Sequence, residues 1–490
     1  MEVLNNYINS TWIKSKETNT TDVINPATQE VLAKVPYGTG TANDVTQAIE
    51  AAAEAYKFWS QVPVMRRVQP LYKLKQLLED NAEDIARTIT LECGKTIAES
   101  RGELQRAIEN VETACGTPML IQSEFSENIA SGVDEFMIRQ PLGVCACISP
   151  FNFPGMIPFW FLPYAIACGN TFVLKPSEKV PLTMMKVFEL LDRIDLPKGV
   201  INLVHGGKET VDTILDHPKV RAISFVGSSK IAKYVYSRGA ANGKRVQAQG
   251  GAKNPVVILP DADLEVSVQI VTDSVFGCAG QRCLAASNII TVADNGKIKE
   301  ALYESAKKRT TGFGLDEKME MGPVISSESR SRVEMLIEQG VSEGGKVLLD
   351  GRNAKIEGYE RGNFIRPTIL ESLPLDGEII KTEIFGPVMS LIELDTVDDA
   401  ISFINNGHYG NMACLFTSSG ANARKFRNQA DAGNIGINIG VAAPMAQFPF
   451  SGWKESFFGD LHGQGRHAIE FFTQTKVVVE RWPKEWSRKF

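Results

Sequence analysis

The chain is poor in the features that mark metal centres, secreted frames and nucleic-acid surfaces. Only five histidines occur in 490 residues, and none stands with the cysteines at a zinc-site spacing, so no metal centre is expected. No basic run or basic and aromatic patch appears, and Lys+Arg 52 against Asp+Glu 58 leaves a net charge of −6, which argues against a nucleic-acid partner. The start, MEVLNNYINSTWIKS, lacks the apolar core of a signal peptide, and the expected location is the cytoplasm. Eight scattered cysteines are then expected as reduced thiols rather than as a disulfide frame. Charge is missing altogether from Pro141 to Leu174, a length that could cross a bilayer. Pro150, Pro154, Pro158 and Pro163 cut that stretch into short pieces, whose freed backbone groups would be costly in lipid. A buried strand, loop and helix is the expectation, with no membrane partner.

At this length two or three domains are expected. Short apolar runs alternate with amphipathic stretches, the pattern of a parallel sheet with crossover helices. Strands are expected at Leu142 to Ile148, Asn170 to Lys175, Val200 to Val204 and Val220 to Val226, with helices at Pro158 to Cys168, at Leu182 to Arg193 and through Arg238. A second series follows Gly251: a strand at Pro255 to Leu259, a helix at Leu264 to Val275, and a strand at Asn288 to Val292. Phe136 to Arg139 and Thr475 to Glu480 look like edge strands, which need partners and suggest a small oligomerisation sheet.

No G-x-G-x-x-G joins a strand to a helix, so the usual dinucleotide fingerprint is absent. In its place stands FVGSS, Phe225 to Ser229, where Gly227 lets a phosphate approach the backbone ahead of a helix N-terminus. A plain strand-to-helix turn explains that segment as well. In LKPSE, Lys175 ends a strand where open α/β sheets bind ligands, and with Glu178 it could hold ribose hydroxyls. Asn152 in SPFNFP could donate to a developing oxyanion or form an Asx-turn. The segment FGCAGQRCLAASN, Phe276 to Asn288, carries two cysteines. Cys278 closes a helix and reads as core, whereas Cys283, preceded by Arg282, is the candidate nucleophile, since a free thiol at neutral pH needs cationic or amide neighbours to ionise.

Taken in order, INPATQE, PFNFP, LKPSE, FVGSS, GQRC, EIFGPV (Glu383 to Val388) and FPFSGWKES (Phe448 to Ser456) resemble the aldehyde dehydrogenases along the length of the chain. The resemblance implies an α/β fold with a Rossmann-like NAD domain (1–118 and 142–250), an α/β catalytic domain (251–468) and a small β oligomerisation arm (119–141 and 469–490). It implies Cys283 as nucleophile, with Asn152 and the Cys283 N–H as oxyanion hole. It also places Phe151, Lys175, Glu178, Gly227, Ser228, Glu383 and Phe385 against NAD, and a homodimer or homotetramer as the assembly.

Hydrolytic members carry a glutamate that activates water, and this chain has Gln249 there, followed by GAKN. An amide accepts no proton at neutral pH. Together with Arg282 and the stretch Ala443 to His462, this resembles the CoA-acylating methylmalonate-semialdehyde dehydrogenases within the family. That resemblance implies a thioester on Cys283, CoA as co-substrate, and two arginines, Arg106 and Arg282, on the substrate carboxylate. Paired guanidinium forks suit such an anion. Arg106 reads equally well as a solvated helix residue. Gln447 stands where that branch more often has an aromatic residue, so a sulfonated aldehyde, oxidised to the free acid, is the alternative substrate.

Overall fold

The computed structural model describes residues 3–294 and 296–482. Two large sheets organise it. The first has eight strands, in the spatial order Thr11–Ile13, Asn6–Ile8, Ile201–Leu203, Thr171–Lys175, Val144–Ile148, Val220–Val226, Arg245–Gln249 and Phe457–Phe458. The five from Ile201–Leu203 to Arg245–Gln249 are parallel, and the outer strands pair antiparallel. Among these five the chain runs outward from Val144–Ile148 in both directions, so the strand order reverses there, which is the point at which open α/β sheets bind ligands. VCACI and TFVLK are buried at every position because crossover helices cover both faces, and this is why they read as continuous apolar runs rather than alternating ones.

The second sheet has seven strands, in the order Lys346–Leu349, Thr368–Glu371, Val388–Leu394, Ala286–Val292, Asn254–Ile258, Met412–Phe416 and Asn434–Ile437, all parallel except the first pair. A third sheet stands apart. Its strands Phe125–Ala130, Val133–Pro141 and Thr473–Arg481 are antiparallel, and the last two run in unbroken register from Thr473 opposite Pro141 to Arg481 opposite Val133. The expected edge strands at Phe136 and Thr475 are thus one another's partners.

The uncharged stretch is buried strand, loop and helix, as expected, and no described helix is long and apolar enough to cross a membrane. The single helix expected at Pro158 to Cys168 is instead a 3-10 turn, Ile157–Trp160, followed by an α-helix, Leu162–Ala167. Pro163 has no N–H to donate back across Phe161, whose φ of −125° lies outside the helical range, so the turn cannot continue. Residues 483–490 of the expected arm and 1–2 of the expected NAD domain lie outside the described residues. The first sheet also reaches beyond residue 250, since Phe457–Phe458 pairs with Arg245–Gln249.

The site lies where the carboxyl end of the first sheet meets the amino end of the second. Gln249 ends a strand of one and Asn254 begins a strand of the other, with only Gly250 to Lys253 between them. The helix Ile97–Cys115 closes the other side; it opens with a capping box in which the Thr96 hydroxyl and the Glu99 carboxylate satisfy each other's backbone N–H groups.

Candidate active site

The segment Gly277 to Cys283 leaves the helix Leu264–Phe276 in a strained path: Cys278 and Ala279 both have φ near +50°. Left-handed backbone at a residue with a side chain costs about 1–3 kcal/mol and persists only where neighbours enforce it. The enforcing contacts are visible. The Cys278 N–H donates to Glu99 Oε1 at 2.5 Å, Gln281 Oε1 accepts from the Ile325 N–H at 3.0 Å, and Asn152 Nδ2 donates to the Gln281 carbonyl at 2.9 Å. At Gly280 a Cβ would lie 2.0 Å from the Gly386 carbonyl oxygen, so only glycine allows the two loops to meet.

Cys283 is the one free cysteine among the eight that is not fully buried. It lines a cavity of about 280 Å³ together with Arg106, Arg282, Phe153, Trp160 and Phe450. That volume is at the small end for ligand sites and suits a molecule of a few heavy atoms. Two side-chain amides, Asn254 Nδ2 and Asn411 Nδ2, each donate to the Cys283 carbonyl at 2.8 Å. Burial pushes the Cys283 thiol up to about 12 and the Glu383 carboxylate adds to this, while the N–H groups of Cys283 and Leu284 and, least, Arg282 pull it back only in part. The thiolate support expected from Arg282 is therefore outweighed in the free protein.

The loop carrying Asn152 is held from below by a buried ion pair. Lys95 Nζ lies 2.6 Å from Glu103 Oε2 and donates to the Asn152 carbonyl at 2.6 Å, while Glu103 Oε1 accepts from the N–H groups of Gly155 and Met156 at 2.6 and 3.1 Å. With these contacts in place, the Asn152 amide keeps one N–H free beyond the bond to Gln281, the minimum an oxyanion hole needs.

Arg282 and Arg106 reach the same cavity from different elements. Arg282 Nη2 donates to the carbonyls of Asp273 and Ser274 at 2.5 and 3.0 Å, at the end of the helix Leu264–Phe276, and its buried Nε has no partner. Among the described residues no carboxylate pairs with it; the nearby Asp273 carboxylate pairs with Arg309 instead. Arg106 sits on the helix Ile97–Cys115 with Nη1 at 3.0 Å from Glu109, half open to the cavity.

Gln249 is buried, and its Nε2 donates to Asn411 Oδ1 at 3.1 Å. Lys175 and Glu178 pair at 3.0 Å beyond the carboxyl end of their strand. Burial works against the Glu178 carboxylate, but the Lys175 ammonium and a backbone amide outweigh it and bring its pKa below the ordinary value. Gly227 and Ser228 precede the helix Ser229–Ala241, whose first turn has no side-chain cap. Glu383 accepts from the Ala252 N–H at 2.9 Å, and burial raises its pKa against the pull of that amide, Arg332 and Lys253. Phe385, with φ of +56°, meets Phe151 edge to face at 5.9 Å. An uncapped helix start, a lysine and two carboxylates at a sheet's carboxyl end form a donor set that fits a dinucleotide: amides for phosphate and carboxylates for ribose.

Sequence reasoning missed Asn411, Lys95 and Glu103. Lys95 lies in a loop between two helices, Glu103 in a helix and Asn411 just before the strand Met412–Phe416, and only the fold reveals that each meets the Cys283 loop or the Asn152 loop.

The sequence profile of the aldehyde dehydrogenase family matches residues 12–478. Malonate-semialdehyde dehydrogenase 1 of Geobacillus thermodenitrificans is 47% identical over 98% of this chain and 99% of its own, and malonate-semialdehyde dehydrogenase of Halalkalibacterium halodurans is 45% identical over the same shares. Among solved structures, a putative methylmalonate-semialdehyde dehydrogenase from Sinorhizobium meliloti complexed with NAD superposes with a TM-score of 0.96 at 40% identity, covering 99% of both chains. The methylmalonate-semialdehyde dehydrogenase from Oceanimonas doudoroffii gives 0.97 at 40% identity over 100% of both chains. With a profile match over nearly the whole length and relatives well above 40% identical, this chain belongs to the aldehyde dehydrogenase family.

Proposed function

We propose that the enzyme oxidises a short aldehyde bearing a carboxylate, malonate or methylmalonate semialdehyde, with NAD as acceptor, and passes the acyl group from Cys283 to CoA. The observation that carries this reading is Gln249. It occupies the place of the water-activating base, is buried, and spends its amide on Asn411. Nothing at that position removes a proton from water.

Arg282 and Arg106 bind the substrate carboxylate in the cavity and so present the aldehyde carbon to Cys283. The thiolate attacks that carbon, and Asn152 Nδ2 with the Cys283 N–H stabilises the oxyanion of the thiohemiacetal. NAD, when bound, would supply the hydride acceptor for this carbon. Phe151, Lys175, Glu178, Gly227, Ser228, Glu383 and Phe385 would hold it, and Glu178 would repel a 2′-phosphate, favouring NAD over NADP. The thioester left on Cys283 is a poor target for unactivated water but a good one for a thiol, so the CoA sulfur attacks its carbonyl and Cys283 leaves as thiolate. A thioester with a carboxylate on its α-carbon can lose carbon dioxide before transfer, because the thioester carbonyl accepts the electron pair and the α-carbon then takes up a proton.

Residues 1–118 and 142–250 form the coenzyme domain on this reading, 251–468 the catalytic domain, and 119–141 with 469–490 the arm that joins protomers into a homodimer or homotetramer. The support for the arm is its exposed apolar side chains, Phe125, Ile129, Val477 and Val479. Eight unpaired thiols fit a reducing cytoplasm. The test is steady NADH formation from both semialdehydes with and without CoA. Turnover that requires CoA supports the reading. Equal turnover without it would favour a hydrolytic enzyme, and then a sulfonated aldehyde becomes the substrate to try.

A further inference from the structure

The Cys283 carbonyl is bonded by more side chains than a loop carbonyl needs. Asn411 and Asn254 both donate to it at 2.8 Å, which fills its two lone pairs. Asn254 is itself fixed, donating also to the Ala285 carbonyl at 2.9 Å and accepting from the Met412 N–H at 3.1 Å. Asn411 is fixed at its other end by Gln249, whose Nε2 lies 3.1 Å from Asn411 Oδ1, and its backbone carbonyl accepts from Asn434 Nδ2 at 2.9 Å. Asn254, Asn411 and Gln249 are all buried.

The held carbonyl belongs to the peptide that joins Cys283 to Leu284, and the N–H of that same peptide, with the N–H of Cys283, favours the Cys283 thiolate against burial. Hydrogen bonds in a chain polarise one another, so a carbonyl that accepts two of them makes its own N–H a better donor. Pinning the oxygen also fixes the rotation of that peptide about the Cys283 Cα–C bond, and with it the direction of the N–H. The orientation of Asn411 depends on Gln249: an amide has a donor end and an acceptor end, and a donor at Oδ1 is what leaves the NH₂ facing Cys283. A glutamate would present no donor there at neutral pH.

We propose that Asn411 is a positioning residue for the nucleophile and that Gln249 acts through it: the chain from Gln249 Nε2 through Asn411 to the Cys283 carbonyl aims and strengthens the Leu284 N–H that stabilises the Cys283 thiolate. This rests on the reading of Cys283 as nucleophile and gives Gln249 a task of its own beyond lacking a base. The charged and titratable groups around Sγ are Glu383, which opposes the thiolate, Arg282, which favours it, and Arg106, Glu99, Glu103 and Cys278 around the same cavity. The amides do not titrate, so removing one changes the thiol without adding or deleting a charge.

The test is the rate at which iodoacetamide alkylates Cys283 as a function of pH, counted by intact mass. In this reaction the thiolate displaces iodide to form a thioether, and Cys283→Ala supplies the background. Wild type is compared with Asn411→Ala and Gln249→Ala. Asn411→Ala is expected to move the profile to higher pH and to slow alkylation about tenfold at a fixed pH below the midpoint, the size of one hydrogen bond to a charged group. Gln249→Ala is expected to move it in the same direction. If Asn411→Ala does not fold, Gln249→Ala carries the test alone. Profiles that superimpose on wild type would overturn the proposal, because a merely structural amide would not alter thiol ionisation. The assay uses neither aldehyde nor CoA. An amide-dependent profile in a protein that fails to oxidise the semialdehydes would therefore overturn the proposed function while leaving this inference standing.

Discussion

The loop from Gly277 to Ala285 and the three-stranded sheet of Phe125–Ala130, Val133–Pro141 and Thr473–Arg481 fix their backbones in opposite ways. In the loop, irregular and partly left-handed backbone is held by side chains from distant parts of the chain: Glu99, Asn152, Asn254 and Asn411. In the sheet, a regular ladder suffices, and the side chains of Val477 and Val479 are left about 60% exposed. Side-chain polar groups invested in one loop mark a place where atoms must stand still for chemistry. Apolar groups exposed along a well-made ladder support the proposed role of this sheet in assembly.

Four variants break or sharpen that comparison. Cys283→Ala is expected to lower NADH formation by about four orders of magnitude or more, as loss of a covalent nucleophile does, with the fold unchanged by circular dichroism. Lys95→Met strands the Glu103 carboxylate in the interior beneath the Asn152 loop and is expected to cost about 3–5 kcal/mol in denaturant unfolding. Arg282→Gln is expected to raise KM for the anionic aldehyde by about ten- to a hundredfold, the worth of a hydrogen-bonded charge pair, while KM for propanal changes much less. An equal effect on both aldehydes would return Arg282 to its helix-end carbonyls alone. On the sheet, Val477→Asp with Val479→Asp is expected to leave the unfolding free energy within about 1 kcal/mol, because exposed positions tolerate change. The mass in solution is expected to fall towards the 53.8 kDa of a single chain. An unchanged mass would separate the sheet from assembly.

Much of the architecture was legible because it rests on short-range patterns. VCACI, TFVLK and AISFV are apolar runs with turns behind them, and each is a buried parallel strand. The resemblance to the aldehyde dehydrogenases is borne out across the chain. What escaped lies in long-range contacts. Arg282 was legible as a cation beside a thiol, but whether burial or charge governs Cys283 depends on how much protein closes over it, which no spacing encodes. Asn411 precedes a strand like many other asparagines, and its bond to Cys283 spans 128 positions. Lys95 and Glu103 are eight residues apart, and nothing local announces that both are buried and paired. The single helix expected at Pro158 to Cys168 breaks between Trp160 and Leu162 for a nearer reason: the missing N–H of Pro163 ends one turn and begins the next.

The central claim is that an acyl group waits on Cys283 for a thiol because Gln249 cannot activate water. It is tested most directly by mixing enzyme, NAD and malonate semialdehyde without CoA, quenching in acid within seconds, and mapping the modified peptide by mass spectrometry. The account predicts one burst of NADH per active site, an acyl mass on Cys283, and discharge of that mass to acyl-CoA when CoA is added. Linear NADH formation with Cys283 unmodified and free acid accumulating would contradict it.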